Sequence, residues 1–317
     1  MRTSEPDPNI VVWFRGGYRP LGEANVNILT HALHYGTGVF EGIRAYWDAE
    51  QGELYLLRAE EHFARWRRNC GIIRIDVAED QRAWLKIAVE LCRRNGFKTD
   101  VYMRPLAWKA SARIGLQPDD NDASALIAIP FGAYLPSENG IHAGVASWRR
   151  VEDNAIPGRG KICGAYVNSA LASDEARRNG FDEAIFLTES GHVAEGATCN
   201  IFMVRSGKLV TPPATDNILE GITRDCVMTL ARREMGLEVV ERSIDRSELY
   251  VCDELFFTGT AVELAPITQV DHRPVGEGVI GPVAGRLRRL YEDATRGRLD
   301  RYHHWLEPVY QRMPTAV

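Results

Sequence analysis

Lys161 lies in the segment Gly158-Arg-Gly-Lys-Ile-Cys-Gly164, and Tyr166 follows it five residues later. Glycines let the backbone bend closely around a bound group. A lysine amine that is desolvated, or crowded by positive charge, forms Schiff bases with carbonyl compounds. The alternative is an ordinary lysine on a solvated loop, and Lys161 taken alone does not decide between the two.

A Schiff-base lysine would serve a cofactor, and pyridoxal phosphate is the usual one for amines. Such a cofactor needs a phosphate anchor, an acidic partner for its pyridine nitrogen, a hydroxyl near its ring oxygen and a substrate pocket beside it. The sequence offers a candidate for each of these groups.

Three segments are candidate phosphate anchors. Leu219-Glu-Gly-Ile-Thr223 opens an amphipathic helix, where Gly221 allows close approach and Thr223 either caps the helix or donates its hydroxyl. Arg65 is either a bidentate phosphate clamp or a solvated arginine. The turn Phe257-Thr-Gly-Thr-Ala261 offers hydroxyls and amides, and an ordinary tight turn is the alternative.

Glu195 is the candidate acid. It lies in a run of small residues, Val193-Ala-Glu-Gly-Ala-Thr198, just before the apolar strand that begins near Asn200. An acid that faces a pyridine nitrogen keeps that nitrogen protonated, so the ring withdraws electrons from the reacting carbon. The alternative for Glu195 is simple exposure at a turn.

Hairpins mixed with helices must position these residues, and they predict an α+β fold of two α/β-type domains rather than a repeating barrel. We expect a small N-terminal domain over residues 1–132, a linker over 133–140 and a larger domain over 141–317. The predicted strands are Ile10–Phe14, Ile43–Trp47, Glu53–Leu57, Val101–Trp108, Ala123–Phe131, Ile141–Trp148, Glu183–Leu187, Asn200–Val204, Glu238–Val240 and Glu254–Thr258. The predicted helices are Glu60–Asn69, one entered at Asp80 and ended at Gly96, Val167–Asn179, Thr223–Met235 and Gly281–Ala294.

Composition narrows the function classes. The 317 residues carry a net charge of -5, which gives no electrostatic reason to expect nucleic acid or an anionic membrane as a partner. Six cysteines without a Cys-x-x-Cys pair argue against a zinc site and against a disulfide framework, so no metal is expected. No apolar signal segment or membrane span is found, which favours a cytoplasmic enzyme. The glycines around Lys161 do not have the spacing of a dinucleotide-binding loop.

Seven motifs together resemble the branched-chain amino acid aminotransferases, which are class IV (fold type IV) pyridoxal-phosphate enzymes. The resemblance runs in order from about Val12 to about Arg289. The motifs are His31-Ala-Leu-His-Tyr-Gly-Thr-Gly-Val-Phe-Glu-Gly-Ile-Arg44, Glu61-His-Phe-Ala-Arg65, Tyr102-Met-Arg-Pro-Leu106, Lys161 with Tyr166, Glu195-Gly-Ala-Thr-Cys-Asn-Ile-Phe202, Gly221-Ile-Thr-Arg-Asp225 and Thr258-Gly-Thr-Ala-Val-Glu263. The family implies fold type IV, with the cofactor between two domains, and at least a homodimer.

The resemblance also implies roles for single residues. Lys161 would form the Schiff base, Tyr166 would hydrogen-bond the ring oxygen and Glu195 would hold the pyridine nitrogen. The residues implied to hold the phosphate are Arg65, Ile222, Thr223 and Thr260. The residues implied to bind substrate are Tyr35, Phe40, Tyr102, Arg104, Phe131, Tyr134, Thr260 and Ala261.

The implied activity is a ping-pong transamination between L-branched-chain amino acids and 2-oxoglutarate. Aromatic rings suit an isobutyl side chain, while Arg104 and the tyrosine hydroxyls suit the side-chain carboxylate of glutamate. The alternatives within the fold are a D-amino acid aminotransferase, an (R)-selective amine aminotransferase and an aminodeoxychorismate lyase. Outside it, the alternative is a non-catalytic homologue that keeps the scaffold. Cys163 and the segment Ala197-Thr-Cys199 depart from the family pattern and leave side-chain preference open.

Overall fold

The computed structural model describes residues 6–132, 135 and 138–311 of the chain. The predicted pocket residue Tyr134 lies outside them. The chain divides into two compact units. Within the described residues, the first unit contains 6–132, 160–164 and 293–311, and the second contains 135, 138–159 and 165–292. Each unit combines a mostly antiparallel sheet with helices, so the chain is α+β as predicted.

Strands and helices are numbered along the chain. The elements before residue 133 are β1 Val11–Phe14, β2 Gly17–Pro20, α1 His31–Tyr35, β3 Gly38–Phe40, β4 Ile43–Asp48, β5 Glu53–Leu57, α2 Ala59–Ile72, α3 Gln81–Asn95, β6 Val101–Lys109 and β7 Asp122–Pro130. The elements after it are β8 Ile141–Arg149, α4 Tyr166–Arg178, β9 Glu183–Leu187, β10 Val193–Gly196, β11 Asn200–Arg205, β12 Lys208–Thr211, α5 Ile222–Met235, β13 Val239–Glu241, β14 Glu254–Gly259, β15 Glu263–Val270, β16 Arg273–Pro274, α6 Pro282–Thr295 and β17 Leu306–Pro308.

The described part of the first unit forms one eight-stranded sheet in the order β17-β5-β4-β6-β7-β1-β2, with β3 paired to β6. Helix α3 begins where the Asp80 side chain accepts from Ala83 N and ends at Gly96, whose φ is 62°, as the sequence predicts. Its Trp84 ring packs 5.0 Å from the Trp66 ring of α2, edge to face. These helices support the sheet whose strand β6 carries Tyr102 and Arg104.

The described part of the second unit forms a nine-stranded sheet in the order β10-β9-β8-β15-β14-β11-β12-β13, with β16 paired to β15. Its core includes Ile201, Phe257 and Ala265, all at most 1% exposed. Strand β10, the first turns of α4 and α5 and the turn after β14 carry the candidate residues of this unit.

The compact units differ from the predicted division at the C-terminal segment, which groups with the first unit. Strand β17 pairs antiparallel with β5, and the Arg296 guanidinium lies 3.1 Å from Asp100 and donates to Trp47 O. These contacts are distant along the chain, so a division by sequence position alone does not show them. Among the helices that the structure describes, none is both long and apolar enough to cross a membrane.

Candidate functional site

The segment that carries Lys161 packs against β3 in the first unit. Lys161 O accepts from Phe40 N at 3.0 Å, and Ile162 forms a β-bridge with Val39. A Cβ atom on Gly36 would lie 2.6 Å from Gly164 Cα, so the two glycines permit a close backbone approach. The half-buried Lys161 side chain therefore starts from a backbone that is fixed on both sides.

The Phe40 ring lies near two cationic groups of this unit. Lys161 Nζ is 5.4 Å from the ring centroid, and the Arg104 guanidinium carbon is 4.6 Å from it. The quadrupole of an aromatic face attracts cations at these distances. The structure thus brings three predicted site residues together around one aromatic ring.

Tyr102 and Phe131 extend this group. The Tyr102 hydroxyl accepts from Arg104 Nη2 at 2.9 Å, and the Tyr102 and Phe131 ring centroids are 5.1 Å apart. A Cβ atom on Gly42 would lie 2.4 Å from the Tyr102 hydroxyl, so only glycine leaves room for it there. The buried Arg44 side chain donates to Phe131 O at 3.2 Å and so fixes the backbone directly after β7.

Tyr35 has different neighbours from the other predicted pocket residues. Its hydroxyl accepts from Gly115 N at 3.2 Å, and its ring lies 4.6 Å from the His31 ring. Among the contacts of the described residues, Tyr35 touches the loop after β6 rather than Phe40 or Arg104. The structure does not add it to the group around the Phe40 ring.

Arg65 is only 5% exposed, so the solvated alternative is wrong. Its Nε and Nη2 donate to the two carboxylate oxygens of the fully buried Glu41 at 2.8 and 2.7 Å. Burial alone would raise the pKa of Glu41, but the Arg65 guanidinium and the His62 imidazole outweigh burial and hold that pKa well below its usual range. Burial lowers the pKa of His62. Glu41 uses two of the five N–H donors of Arg65 and fixes the plane of the guanidinium.

Glu195 lies in β10 of the second unit and is buried rather than exposed, so the alternative of simple exposure is wrong. Its Oε1 is 2.8 Å from Arg150 Nη2. Its Oε2 accepts from Asn200 Nδ2 at 3.0 Å and from Leu219 N at 3.2 Å. These three donors fix the plane of the Glu195 carboxylate within the second unit.

The N-cap of helix α5 is Gly221, which has no side chain to cap this end. Thr223 is the second residue of the helix, so the suggestion that it caps the helix is wrong. A Cβ atom on Gly221 would lie 2.0 Å from Asn200 Oδ1. Ile222 and Thr223 are buried in the first turn. An uncapped N-terminus with close backbone access is suited to an anion.

Thr260 and Ala261 form the half-buried turn between β14 and β15. A Cβ atom on Gly259 would meet Cys199 Cβ at 3.4 Å, so this turn packs beside the turn that follows Glu195. Cys199 is buried and also packs against Gly196, which gives it a structural role. Tyr166 is the half-buried first residue of α4.

Cys163 lines an apolar cavity of about 300 Å³ in the first unit, together with Leu33, Leu106 and Trp108. Its Sγ lies 3.0 Å from where a Cβ atom on Gly38 would be. Burial raises the pKa of the Cys163 thiol. No group of three His, Cys, Asp or Glu side chains with the geometry to hold a metal ion occurs in the described part of the chain.

Comparison with known proteins assigns the family. The family described as amino-transferase class IV matches residues 38–270. A relative from Aquifex aeolicus (strain VF5), named a probable branched-chain-amino-acid aminotransferase, is 46% identical over 303 residues, which cover 95% of this chain and 97% of the relative. The chain belongs to the class IV aminotransferases.

Two crystal structures of branched-chain aminotransferases have folds similar to that of this chain. The branched-chain aminotransferase of Thermoproteus uzoniensis with norvaline has a TM-score of 0.91 and 44% identity, covering 95% of this chain and 99% of the other. The branched-chain aminotransferase of Thermobaculum terrenum in its PLP form has a TM-score of 0.91 and 38% identity, covering 96% and 100%. The predicted fold type is therefore confirmed for this class IV aminotransferase.

Sequence reasoning missed three side chains that position the candidate residues of this class IV aminotransferase. Glu41 orients Arg65, while Arg150 and Asn200 hold Glu195. Glu41 and Asn200 belong to motifs in which other residues were assigned to the site, so their positions in those motifs could have identified them. Arg150 belongs to none of those motifs, and only the fold brings it to Glu195.

Proposed function

We propose that this protein transfers the amino group between L-branched-chain amino acids and 2-oxoglutarate by a ping-pong mechanism that uses pyridoxal phosphate. The observation that carries the proposal is the placement of the Lys161 amine and the Arg104 guanidinium near one aromatic ring, that of Phe40. The names of the relatives in the same family support it.

The residues present fit the cofactor. An amine that binds an aldehyde is supplied by Lys161, and a buried carboxylate for the pyridine nitrogen is supplied by Glu195. The uncapped start of α5, with Gly221 next to Asn200, suits a phosphate. We assign the phosphate to Arg65, Ile222, Thr223 and Thr260, and the ring oxygen to the Tyr166 hydroxyl.

When bound, pyridoxal phosphate supplies an aldehyde that accepts the amino group and a ring that withdraws electrons from the substrate Cα. Lys161 Nζ would be the covalent attachment point and, once the substrate amine has displaced it, would take the Cα proton and return it to the carbon that carried the cofactor's aldehyde oxygen. Glu195 holds a proton at the ring nitrogen. These proton transfers, followed by attack of water on the substrate carbon, would release a 2-oxo acid and leave the amino group on the cofactor, and a second 2-oxo acid would take up that amino group by the reverse steps.

Substrate recognition must serve two kinds of side chain in one site. Phe40 and Phe131 provide apolar surface for a branched aliphatic side chain. Arg104, oriented by its hydrogen bond to the Tyr102 hydroxyl, provides a cation for the side-chain carboxylate of glutamate. We also assign Tyr35, Tyr134, Thr260 and Ala261 to substrate binding.

Substitution of the lysine tests the mechanism. Lys161→Ala should abolish covalent attachment of the cofactor that borohydride reduces, and it should abolish transamination, while Lys208→Ala, an exposed control, should retain both. A Lys161→Ala protein with full turnover and a reducible cofactor would contradict the assignment.

A half-reaction screen tests the substrate class. L-Leucine and L-glutamate should each deplete the aldehyde-form absorption band, while D-alanine and (R)-1-phenylethylamine should leave it unchanged. Depletion by D-alanine alone would identify a D-amino acid aminotransferase, and depletion by the amine alone would identify an (R)-selective amine aminotransferase.

We further propose a cytoplasmic homodimer. Three large apolar side chains of the first unit, Ile28, Ile114 and Leu116, are 77%, 77% and 78% exposed. Apolar side chains exposed to this degree in neighbouring loops mark association surfaces. Sedimentation should show a dimer or larger assembly for the wild type and a shift toward monomer for the Ile114→Glu/Leu116→Glu variant. A monomeric wild type would refute the proposal.

A further inference from the structure

Arg150, the residue after β8, forms a buried ion pair with Glu195. Its Nη2 is 2.8 Å from Glu195 Oε1, with the two side chains 11% and 6% exposed. Arg150 N donates to Leu187 O, its Nε donates to Asn217 O at 3.3 Å, and its guanidinium lies 5.7 Å from the Phe186 ring. The guanidinium is therefore fixed independently of Glu195.

Asn200 holds the other oxygen of the same carboxylate. Its Nδ2 donates to Glu195 Oε2 at 3.0 Å and to Leu219 O at 2.8 Å. Leu219 N donates to the same Oε2 at 3.2 Å. One amide thus ties the Glu195 carboxylate to the backbone that leads into α5.

We propose that Arg150 and Asn200 are positioning residues that act through Glu195. Arg150 keeps the Glu195 carboxylate ionised toward the pyridine nitrogen, and Asn200 fixes the position of that carboxylate relative to the start of α5. This inference rests on the proposed function. A buried carboxylate without a cation takes up a proton, because burial disfavours its charged form. Arg150 opposes that uptake, so the proton that the pyridine nitrogen and Glu195 share stays on the nitrogen, and the ring remains an effective electron acceptor.

Charge removal tests the first half of the proposal. Arg150→Met should lower the rate constant of the half-reaction with L-leucine about 10- to 100-fold, with little change in the dissociation constant of leucine. It should also change the pH dependence of the cofactor's visible absorption band. Arg150→Lys, which keeps the charge, should recover part of the rate. Arg149→Met changes the exposed neighbouring arginine and should behave as the wild type.

A cofactor analogue separates positioning from general structural damage. In 1-deaza-pyridoxal phosphate a carbon replaces the ring nitrogen, so Glu195 has no nitrogen to act on. Wild type and Arg150→Met reconstituted with this analogue should have half-reaction rate constants within about twofold of each other. If the 10- to 100-fold ratio persists with the analogue, Arg150 acts by another route and the proposal is wrong.

Asn200→Ala tests the second half and serves if Arg150→Met does not fold. It should raise the dissociation constant of pyridoxal phosphate, measured by fluorescence titration of the apoprotein, and lower the half-reaction rate constant. Its rate deficit should also vanish with the deaza analogue, and a deficit that remains would overturn the assignment. Wild-type rate constants in either variant would overturn the role given to Arg150 and Asn200 but not the proposed function. A wild-type protein that binds no pyridoxal phosphate would overturn both.

Discussion

Glu183→Gln is expected to change how the stability of this protein depends on pH. Glu183 begins β9, is 3% exposed and has no ion-pair partner among the residues that the structure describes. Its Oε1 accepts from Ala184 N at 2.8 Å. Burial raises the pKa of Glu183 from 4.5 to about 7, although hydrogen bonds from the backbone of Ala184 and Ala197 oppose the shift.

The sign of the effect follows from proton binding. Between pH 4.5 and about 7 the folded protein keeps a proton on Glu183 that the unfolded chain has released. The free energy of unfolding must therefore fall as pH rises through this window. At 1.36 kcal/mol per pKa unit, the whole shift is equivalent to about 3 kcal/mol. Glutamine keeps a neutral group of similar shape and removes this titration.

Urea unfolding of the holoprotein at fixed protein concentration, with saturating cofactor, measures the effect. The free energy of unfolding of Glu183→Gln minus that of the wild type should rise by about 2–3 kcal/mol between pH 5 and pH 8. Glu277→Gln, at an exposed position, should show a constant difference over the same range. A pH-independent difference for Glu183→Gln would refute the reasoning, because it would mean that the carboxyl does not titrate in this window.

Three further predictions follow from single contacts. Gly221→Ala places a methyl group 2.0 Å from Asn200 Oδ1, and it should raise the dissociation constant of pyridoxal phosphate about tenfold or more in a fluorescence titration; an unchanged constant would contradict close backbone access there. Glu41→Gln removes the carboxylate charge that pairs with the buried Arg65 guanidinium, and urea unfolding should show a loss of about 3–5 kcal/mol, whereas a loss under about 1 kcal/mol would refute the buried pair. Because partial burial raises the pKa of Cys163, iodoacetamide at pH 7 should alkylate it more slowly than it alkylates glutathione, as followed by mass spectrometry, and a faster reaction would contradict the raised pKa.

Local signals in the sequence predicted much of the fold correctly. The helix from Asp80 to Gly96 has both its cap and its glycine stop, and the helix after Gly221 begins where the motif places it. Strand β15, which contains Pro266, was not predicted. The pairing of β15 with β8 begins at Ile267, one residue beyond that proline.

The site was predicted as residue types but not as contacts. Sequence alone left open whether Arg65 is solvated, since its burial depends on Glu41, which lies 24 positions earlier. Arg150 was not identified because it lies 45 positions before Glu195 and in none of the motifs. Ion pairs between distant segments are properties of the assembled fold, and no local pattern encodes them.

The five residues from Gly160 to Gly164 group with the first unit, although the chain on both sides of them belongs to the second. Cutting the gene at residue 132 would therefore separate Lys161 from the strand β3 that fixes its backbone, and would also remove the C-terminal strand β17 that pairs with β5. Neither fragment could be expressed as an autonomous catalytic module. Removal of the last twenty described residues should therefore already abolish activity, although these residues lie far from Lys161 along the chain.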